Sequence, residues 1–257
     1  VRYGIINLAQ IPVRKEMSDK SEMINQLLFG ELISISHQEK QWVKITHEYD
    51  GYEGWIDEKQ FLEIDNANFR LLKQSTNVCN SLFASASFKN QIINFITGST
   101  IHNYSKKRFS ILDTIYETEA IILDSNNNKP NDKNIISTSL KYLNTPYLWG
   151  GRSILGIDCS GFTQMVFKHF NIPLKRDAYQ QAEQGRQVDF LDNSQAGDLA
   201  FFSNKEGKII HVGIILNDKK IIHASGFVRI DTIDHHGIYN QEKKSYSHNL
   251  RFIKRII

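Results

Sequence analysis

The first half of the chain repeats a pattern of short apolar runs, and this recurrence restricts the folds open to it more than any other feature. Leu28-Phe29-Gly30-Glu31-Leu32-Ile33 is echoed by Ile96-Thr97-Gly98-Ser99-Thr100-Ile101, and Lys40-Gln41-Trp42-Val43-Lys44-Ile45 by Lys107-Arg108-Phe109-Ser110-Ile111-Leu112. Gly30 and Gly98 stand 68 residues apart and Trp42 and Phe109 stand 67 apart, so the markers keep their spacing. Each lies in β-branched or aromatic runs bounded by glycine and polar turns, the pattern of strands. Two copies of one β module are therefore expected, over residues 1–65 and 66–124, each a small barrel of roughly five short strands. Asp50-Gly51-Tyr52-Glu53-Gly54-Trp55-Ile56-Asp57 of the first copy has no echo in the second, which is a degenerate version. Asp124-Ser125-Asn126-Asn127-Asn128-Lys129-Pro130-Asn131-Asp132-Lys133 is polar and carries a proline, so residues 125–133 read as a linker. Beyond it the pattern changes from strands to helices and back, as expected of a separate α+β domain over residues 134–257.

The second half holds the residues with chemistry. Gly156-Ile157-Asp158-Cys159-Ser160-Gly161-Phe162 opens a helix, because Phe162, Met165, Val166 and Phe170 recur at helical spacing and Asp158 and Ser160 stand where caps usually sit. Cys159 thus occupies a helix N-terminus, where the macrodipole and free N–H groups favour a thiolate, and its pKa is expected below the ordinary value of about 8.5. A buried, inert thiol is the ordinary fate of a single cysteine, and Cys79 keeps that reading. Cys159 is set apart by Ile209-Ile210-His211-Val212-Gly213-Ile214-Ile215-Leu216 and Lys219-Lys220-Ile221-Ile222-His223-Ala224-Ser225-Gly226, which read as a hairpin. A turn centred on Asn217 places His211 opposite His223 on one face, with Cβ atoms about 5 Å apart. A slip of one residue would separate the faces. A thiol, a base and a polar group that fixes the base's tautomer are what nucleophilic attack on a carbonyl requires.

Tyr147-Leu148-Trp149-Gly150-Gly151, Asp158-Cys159-Ser160-Gly161, Ala196-Gly197-Asp198-Leu199, Ile210-His211-Val212-Gly213 and Ile222-His223-Ala224-Ser225 resemble, in order, the motifs of the NlpC family of papain-like cell-wall peptidases. The resemblance implies Cys159 as nucleophile, His211 as general base and His223 as the orienting third member. Asp158 and Ser160 flank the nucleophile, and the Cys159 N–H and Tyr147 hydroxyl are candidates for stabilising the oxyanion. Asp50 to Asp57 is similar to the aromatic turn of bacterial SH3-like domains. The implied fold class is α+β, two small SH3-like β-barrels followed by a papain-like α+β peptidase domain. A sharper resemblance is to the members of the family that cleave γ-D-glutamyl bonds in peptides beginning with a free L-alanine. There a Glu and a Tyr of the first SH3-like module close the substrate groove, and Ser21-Glu22-Met23 and Gly51-Tyr52-Glu53-Gly54-Trp55 match those stretches. Arg176-Asp177-Ala178 resembles the segment whose Asp meets the substrate amine, with Ala178 where the family often has Ser. The implied substrate-binding set is Glu22, Tyr52, Tyr147, Trp149, Asp158, Ser160, Asp177 and Ala178.

Other readings stay open at this level. Cys159, His211 and His223 are an acceptable zinc ligand set, although no tight paired spacing supports a metal, and no cofactor is expected. A binding protein with an inactive peptidase domain, a hydrolase or amidase acting on glycan-attached stems, and acyl transfer on the same fold are further alternatives. The net charge of +3 and pI near 8.7 come from scattered lysines and do not form a nucleic-acid face. No apolar run approaches membrane-span length. The expected partner is a small murein peptide, L-Ala-γ-D-Glu-diaminopimelate or its lysine counterpart, bound by a monomer, with no nucleic acid and no membrane. Two cysteines in 257 residues make no disulfide framework, and Val1 to Asn7 lacks a signal-like start. The expected location is cytoplasmic, with the periplasm or cell envelope as the alternative had a leader preceded Val1.

Overall fold

The computed structural model describes residues 2–241 and 243–257; Val1 and Glu242 lie outside the described residues. The chain forms two compact units, Val1–Asn128 with Trp149–Ile154 and Lys168–Pro173, and Lys129–Leu148 with Leu155–Phe167 and Leu174–Ile257.

In the first unit, β1 (Arg2–Ile5), β2 (Gln10–Arg14), β3 (Met23–Leu28), β4 (Leu32–Glu39), β5 (Trp42–His47), β6 (Glu53–Asp57) and β7 (Leu62–Ile64) form one antiparallel sheet, in the order β3-β2-β6-β5-β4-β1-β7. Ile33 and Ile35 of β4 and Val43 and Ile45 of β5 alternate inward, which curls the sheet around an aliphatic core as an SH3-like barrel. The second module contains α1 (Asn66–Leu72), β8 (Asn77–Cys79), β9 (Phe83–Phe88), β10 (Gln91–Ile96), β11 (Arg108–Ile111), β12 (Thr114–Glu117) and β13 (Ile122–Asp124). Its strands pair as β10-β9-β12-β11 and β13-β8. The sequence echo is visible as structure: β3 and β10 each run into a glycine turn, with φ of 79° at Gly30 and 86° at Gly98. The two modules also share a core. Ile5, Phe29, Leu32 and Phe69 pack in one cluster with Cys79, Phe95, Ile101 and Phe109, and the Phe29 ring lies 5.5 Å from Phe95 and 5.9 Å from Phe109. The polar stretch after β13 is tied down as well, with Asn127 Nδ2 donating to Asp124 and Asn128 Nδ2 to the His169 carbonyl.

The same unit buries a carboxylate. Glu31 accepts from Arg152 through both oxygens at 2.9 Å, from Lys168 Nζ at 2.6 Å and from the Leu28 N–H at 2.8 Å. Burial opposes its charge, but Arg152 and Lys168 more than offset this and hold it well below the usual carboxylate range.

The second unit contains α2 (Asp132–Leu140), whose N-cap Asn131 accepts from the Asn134 N–H at 3.0 Å. β14 (Arg152–Ser153) belongs to the first unit; in the second, β15 (Gly156–Ile157) is followed by α3 (Cys159–Lys168) and the single turn α4 (Ala178–Gln181). Phe162, Met165 and Val166 are fully buried, as their spacing predicts. The sheet of β16 (Arg186–Val188), β17 (Leu199–Ser203), β18 (Ile209–Ile215), β19 (Lys220–Ser225), β20 (Phe227–Ile233), β21 (Gly237–Asn240) and β22 (Ser245–Arg255) runs β16-β22-β17-β18-β19-β20-β21. The long β22 also pairs with β21, so the sheet closes on itself. Among the described residues no helix is long and apolar enough to cross a membrane.

Replacing Glu31 by Gln should leave Arg152 and Lys168 buried without their counter-charge, a loss of about 3–5 kcal/mol for a broken buried ion pair. Urea unfolding should show this, and an unchanged midpoint would mean that the cluster contributes nothing net.

Candidate active site

Asp158 begins the site by ending a loop. Its Oδ1 accepts the Gly161 N–H at 2.7 Å and so caps α3. Fully buried Arg176 clamps the same carboxylate, from Nη1 to Oδ1 at 3.0 Å and Nη2 to Oδ2 at 2.5 Å, and Nη1 also reaches Ser160 Oγ at 3.1 Å. Gln181 Nε2 donates to the Ser160 carbonyl at 3.0 Å. Asp158 and Ser160 are therefore engaged in holding the first turn of the helix that carries Cys159.

Cys159 is 8% exposed. Burial, and then the Asp158 carboxylate, push its thiol up to about 12, while hydrogen bonds from the Val212 and Ser160 N–H groups and the charge of Arg176 act the other way. The expectation of a resting thiolate thus does not hold, because desolvation outweighs the helix end. The Val212 contact also anchors the sulfur beside β18, one residue past His211.

β18 and β19 form the expected hairpin with a different register. Ile214 faces Ile222 and Ile215 faces Ile221, and the Leu216 N–H bonds the Lys220 carbonyl at 2.8 Å, so the turn is centred on Asp218. Asp218 and Lys219 take φ of 58° and 56°, which shifts the pairing by two residues from a turn at Asn217. An even shift preserves the face. His223 now lies across from Gly213 and His211 is its diagonal neighbour, with His211 Nε2 and His223 Nδ1 at 2.8 Å. A Cβ on Gly213 would come within 2.9 Å of the His223 Cβ and 2.8 Å of Ile221, so only glycine leaves room for the ring.

The chain of contacts continues from His223 Nε2 to Asp231 Oδ2 at 3.0 Å, and Arg229 bonds the same carboxylate at 2.9 Å. Burial alone would raise Asp231, but its hydrogen bonds from His223 and Arg229 hold it below the usual range, so it is ionised and only accepts. His223 Nε2 must then carry the proton, leaving Nδ1 as an acceptor. His211 in turn donates through Nε2, and its lone pair is on Nδ1. Burial keeps both imidazoles neutral: His211 is pulled well below its ordinary value by desolvation and by His223 and His248, and His223 is lowered by desolvation against the opposing pull of Asp231. The His248 ring stacks on His211 at 4.2 Å and 24°, with its Nδ1 2.9 Å from Ser247 Oγ.

The remaining predicted residues fall in several settings. Tyr147 is half-buried, and its phenol is raised by burial and by Cys159 and Asp158, so it stays a proton donor. Trp149, 61% exposed, donates its indole N–H to Glu22 Oε1 at 2.8 Å, and Lys15 Nζ lies 3.4 Å from the other Glu22 oxygen. The Tyr52 N–H bonds Asp50 Oδ1 at 3.0 Å. The Asp177 N–H bonds Gln180 Oε1 at 3.1 Å at the start of α4, and Ala178 is buried there.

Comparison with known proteins agrees with this architecture. The family model described as NlpC/P60 family matches residues 144–245, and that described as bacterial dipeptidyl-peptidase Sh3 domain matches residues 13–61. A γ-D-glutamyl-L-lysine dipeptidyl-peptidase of Bacillus subtilis (strain 168) is 30% identical over 211 residues, covering 77% of this chain and 71% of the relative. The chain belongs to the NlpC/P60 family. A dipeptidyl-peptidase 6 of Lysinibacillus sphaericus is 26% identical over 259 residues, 86% of this chain and 89% of the relative. The fold matches the crystal structure of an NlpC/P60 family protein from Bacillus cereus ATCC 10987 with a TM-score of 0.85, 19% identity and 99% coverage of both chains.

As an NlpC/P60 peptidase the chain has site neighbours that sequence reasoning passed over. Asp231 could have been found as the lone carboxylate in the apolar alternation of Phe227–Ile233, since the pairing of His223 with Arg229 sets Asp231 on the same face. His248 gave no local signal, because only closure of the sheet by β22 brings it to His211.

Two outcomes follow. Alkylation of Cys159 by iodoacetamide, read by intact mass, should accelerate as pH rises from neutrality while fully buried Cys79 stays unmodified; a rate independent of pH above neutrality would mean a preformed thiolate. His211, His223 and His248 all have folded pKa values lowered from about 6.5, so the unfolded chain takes up more protons as pH falls through that value. Their contribution to stability is complete above about 6.5 and is lost below it, and the thermal midpoint should fall between pH 7 and pH 5.

Proposed function

We propose that the protein is a cysteine endopeptidase that hydrolyses the γ-D-glutamyl–L-diamino acid bond of murein peptides with a free N-terminal L-alanine, releasing L-Ala-D-Glu. The observation that carries this reading is the polarised chain from Asp231 through His223 to His211, with Cys159 anchored at the residue after His211. The names of the Bacillus subtilis and Lysinibacillus sphaericus relatives support the substrate class.

In this reading the neutral thiol of Cys159 gives its proton to His211 Nδ1 as the sulfur attacks the carbonyl carbon of the γ-D-glutamyl bond. The tetrahedral oxyanion accepts hydrogen bonds from the Cys159 N–H and the Tyr147 hydroxyl. The imidazolium is stabilised through His223 by the negative charge of Asp231, then protonates the leaving amine as the C–N bond breaks. Water, deprotonated by His211, attacks the thioester, releasing L-Ala-D-Glu and restoring the thiol. By resemblance to the family members that take a free N-terminal alanine, Glu22, Tyr52 and Asp177 are the candidates for recognising its amine. The Trp149 N–H supports this role for Glu22 by fixing its orientation. The two free thiols, Cys79 and Cys159, suit a cytoplasmic enzyme that degrades released peptides.

The test is hydrolysis of L-Ala-γ-D-Glu-diaminopimelate and its N-acetyl form, followed by mass spectrometry. The free peptide should react at least about 100-fold faster, equivalent to about 2.7 kcal/mol of transition-state binding, and Glu22→Ala should lose part of that preference. Cys159→Ala should be inactive and His211→Ala reduced by roughly 10²- to 10⁴-fold, with His223→Ala the milder lesion. Equal rates on free and blocked peptides would leave the thiol chemistry standing and remove the amine requirement.

A further inference from the structure

His248 has no part in the reaction described above, yet it is placed against both histidines that do. Its ring stacks on His211 with centroids 4.2 Å apart and meets His223 edge-on at 5.6 Å. One ring nitrogen from each of His211, His223 and His248 lies within 4.8 Å of the others. We propose that these three imidazoles form a regulatory site for a divalent transition cation of the zinc class, and that its occupation switches the peptidase off.

The donor set suits such an ion. Three neutral imidazoles are a common zinc ligand set, with Zn–N bonds of about 2.0–2.1 Å, so the nitrogens must settle about 3.4 Å apart around a tetrahedral ion. The present 2.8 Å between His211 Nε2 and His223 Nδ1 and the 4.8 Å limit on the separations within the group bracket that value, so shifts of about an ångström suffice. The second layer is in place as well. Asp231 accepts from His223 Nε2, which leaves Nδ1 turned inward with its lone pair, the carboxylate–histidine arrangement that orients metal ligands. Ser247 Oγ occupies His248 Nδ1, leaving Nε2 for the ion. His248 is only half-buried, which gives the ion a way in.

The consequence for activity follows from proton bookkeeping on His211. Its Nε2 proton now points at His223. For Nε2 to bind the cation, that proton must move to Nδ1, and Nδ1 is the lone pair that takes the Cys159 proton. The ion therefore removes the base without touching the sulfur. Only this inhibitory consequence rests on the peptidase reading; binding rests on the geometry alone.

Metal-stripped Cys159→Ala protein should bind Zn²⁺ in a one-to-one ratio by calorimetry, and Co²⁺ in its place should give the visible absorption of a nitrogen-ligated tetrahedral ion. His248→Phe and His248→Gln, introduced with Cys159→Ala and checked for folding by circular dichroism, should weaken binding at least about 10- to 100-fold. In the protein with Cys159 intact, Zn²⁺ should inhibit peptide hydrolysis, EDTA should reverse it, and the inhibition constant should rise in parallel in the His248 variants. Failure of the Cys159→Ala protein to bind, or binding that survives both folded His248 variants, would overturn the site. A protein that binds Zn²⁺ as stated but never hydrolyses murein peptides would refute the function and leave the site intact.

Discussion

The charge on Asp231 is the constraint from which the rest of the site follows. A carboxylate that is 7% exposed keeps its charge only because His223 and Arg229 bond to it. Once it is an obligate acceptor, each proton along the chain has one place to be, and the free lone pair emerges at His211 Nδ1. A change of one group at the far end would redistribute the protons of all three. The site therefore resembles a polarised wire whose direction is set by β20 and whose acceptor end lies on β18.

Much of this was legible in the sequence. The repeated glycine turns, the capped helix at Cys159 and the pairing of two histidines on one hairpin face all depend on local periodicity, and local periodicity survives folding. The register differs from that of a turn at Asn217, because Asp218 and Lys219 adopt left-handed backbone that composition alone does not require. The thiol of Cys159 is raised where its position at a helix end points the other way, since the helix end is a local feature whereas burial is a property of the assembled unit. Asp231 and His248 come from strands whose placement depends on sheet order and closure; Asp231 leaves a trace in the alternation of its own strand, whereas His248 leaves none.

Buried charge appears in both units. Around Glu31 two cations meet one carboxylate, and all of its oxygen valence is taken by Arg152, Lys168 and the Leu28 N–H. Such a cluster fixes geometry and offers nothing to a substrate. Asp158 and Arg176 form a similar clamp behind the helix end that carries Cys159. The site residues differ in being less saturated: Tyr147 keeps a donor, and His211 keeps an acceptor.

The turn between β18 and β19 carries a constraint on how this sequence can drift. Side chains along a strand alternate, so the face shared by His211 and His223 survives only changes of even length in residues 216–220. Substitutions that accept left-handed backbone at 218 and 219 keep this face, whereas gain or loss of a single residue inverts His223 and separates it from His211. Among descendants of this chain the loop is thus expected to vary in composition within what left-handed backbone at 218 and 219 accepts, and in length only by twos.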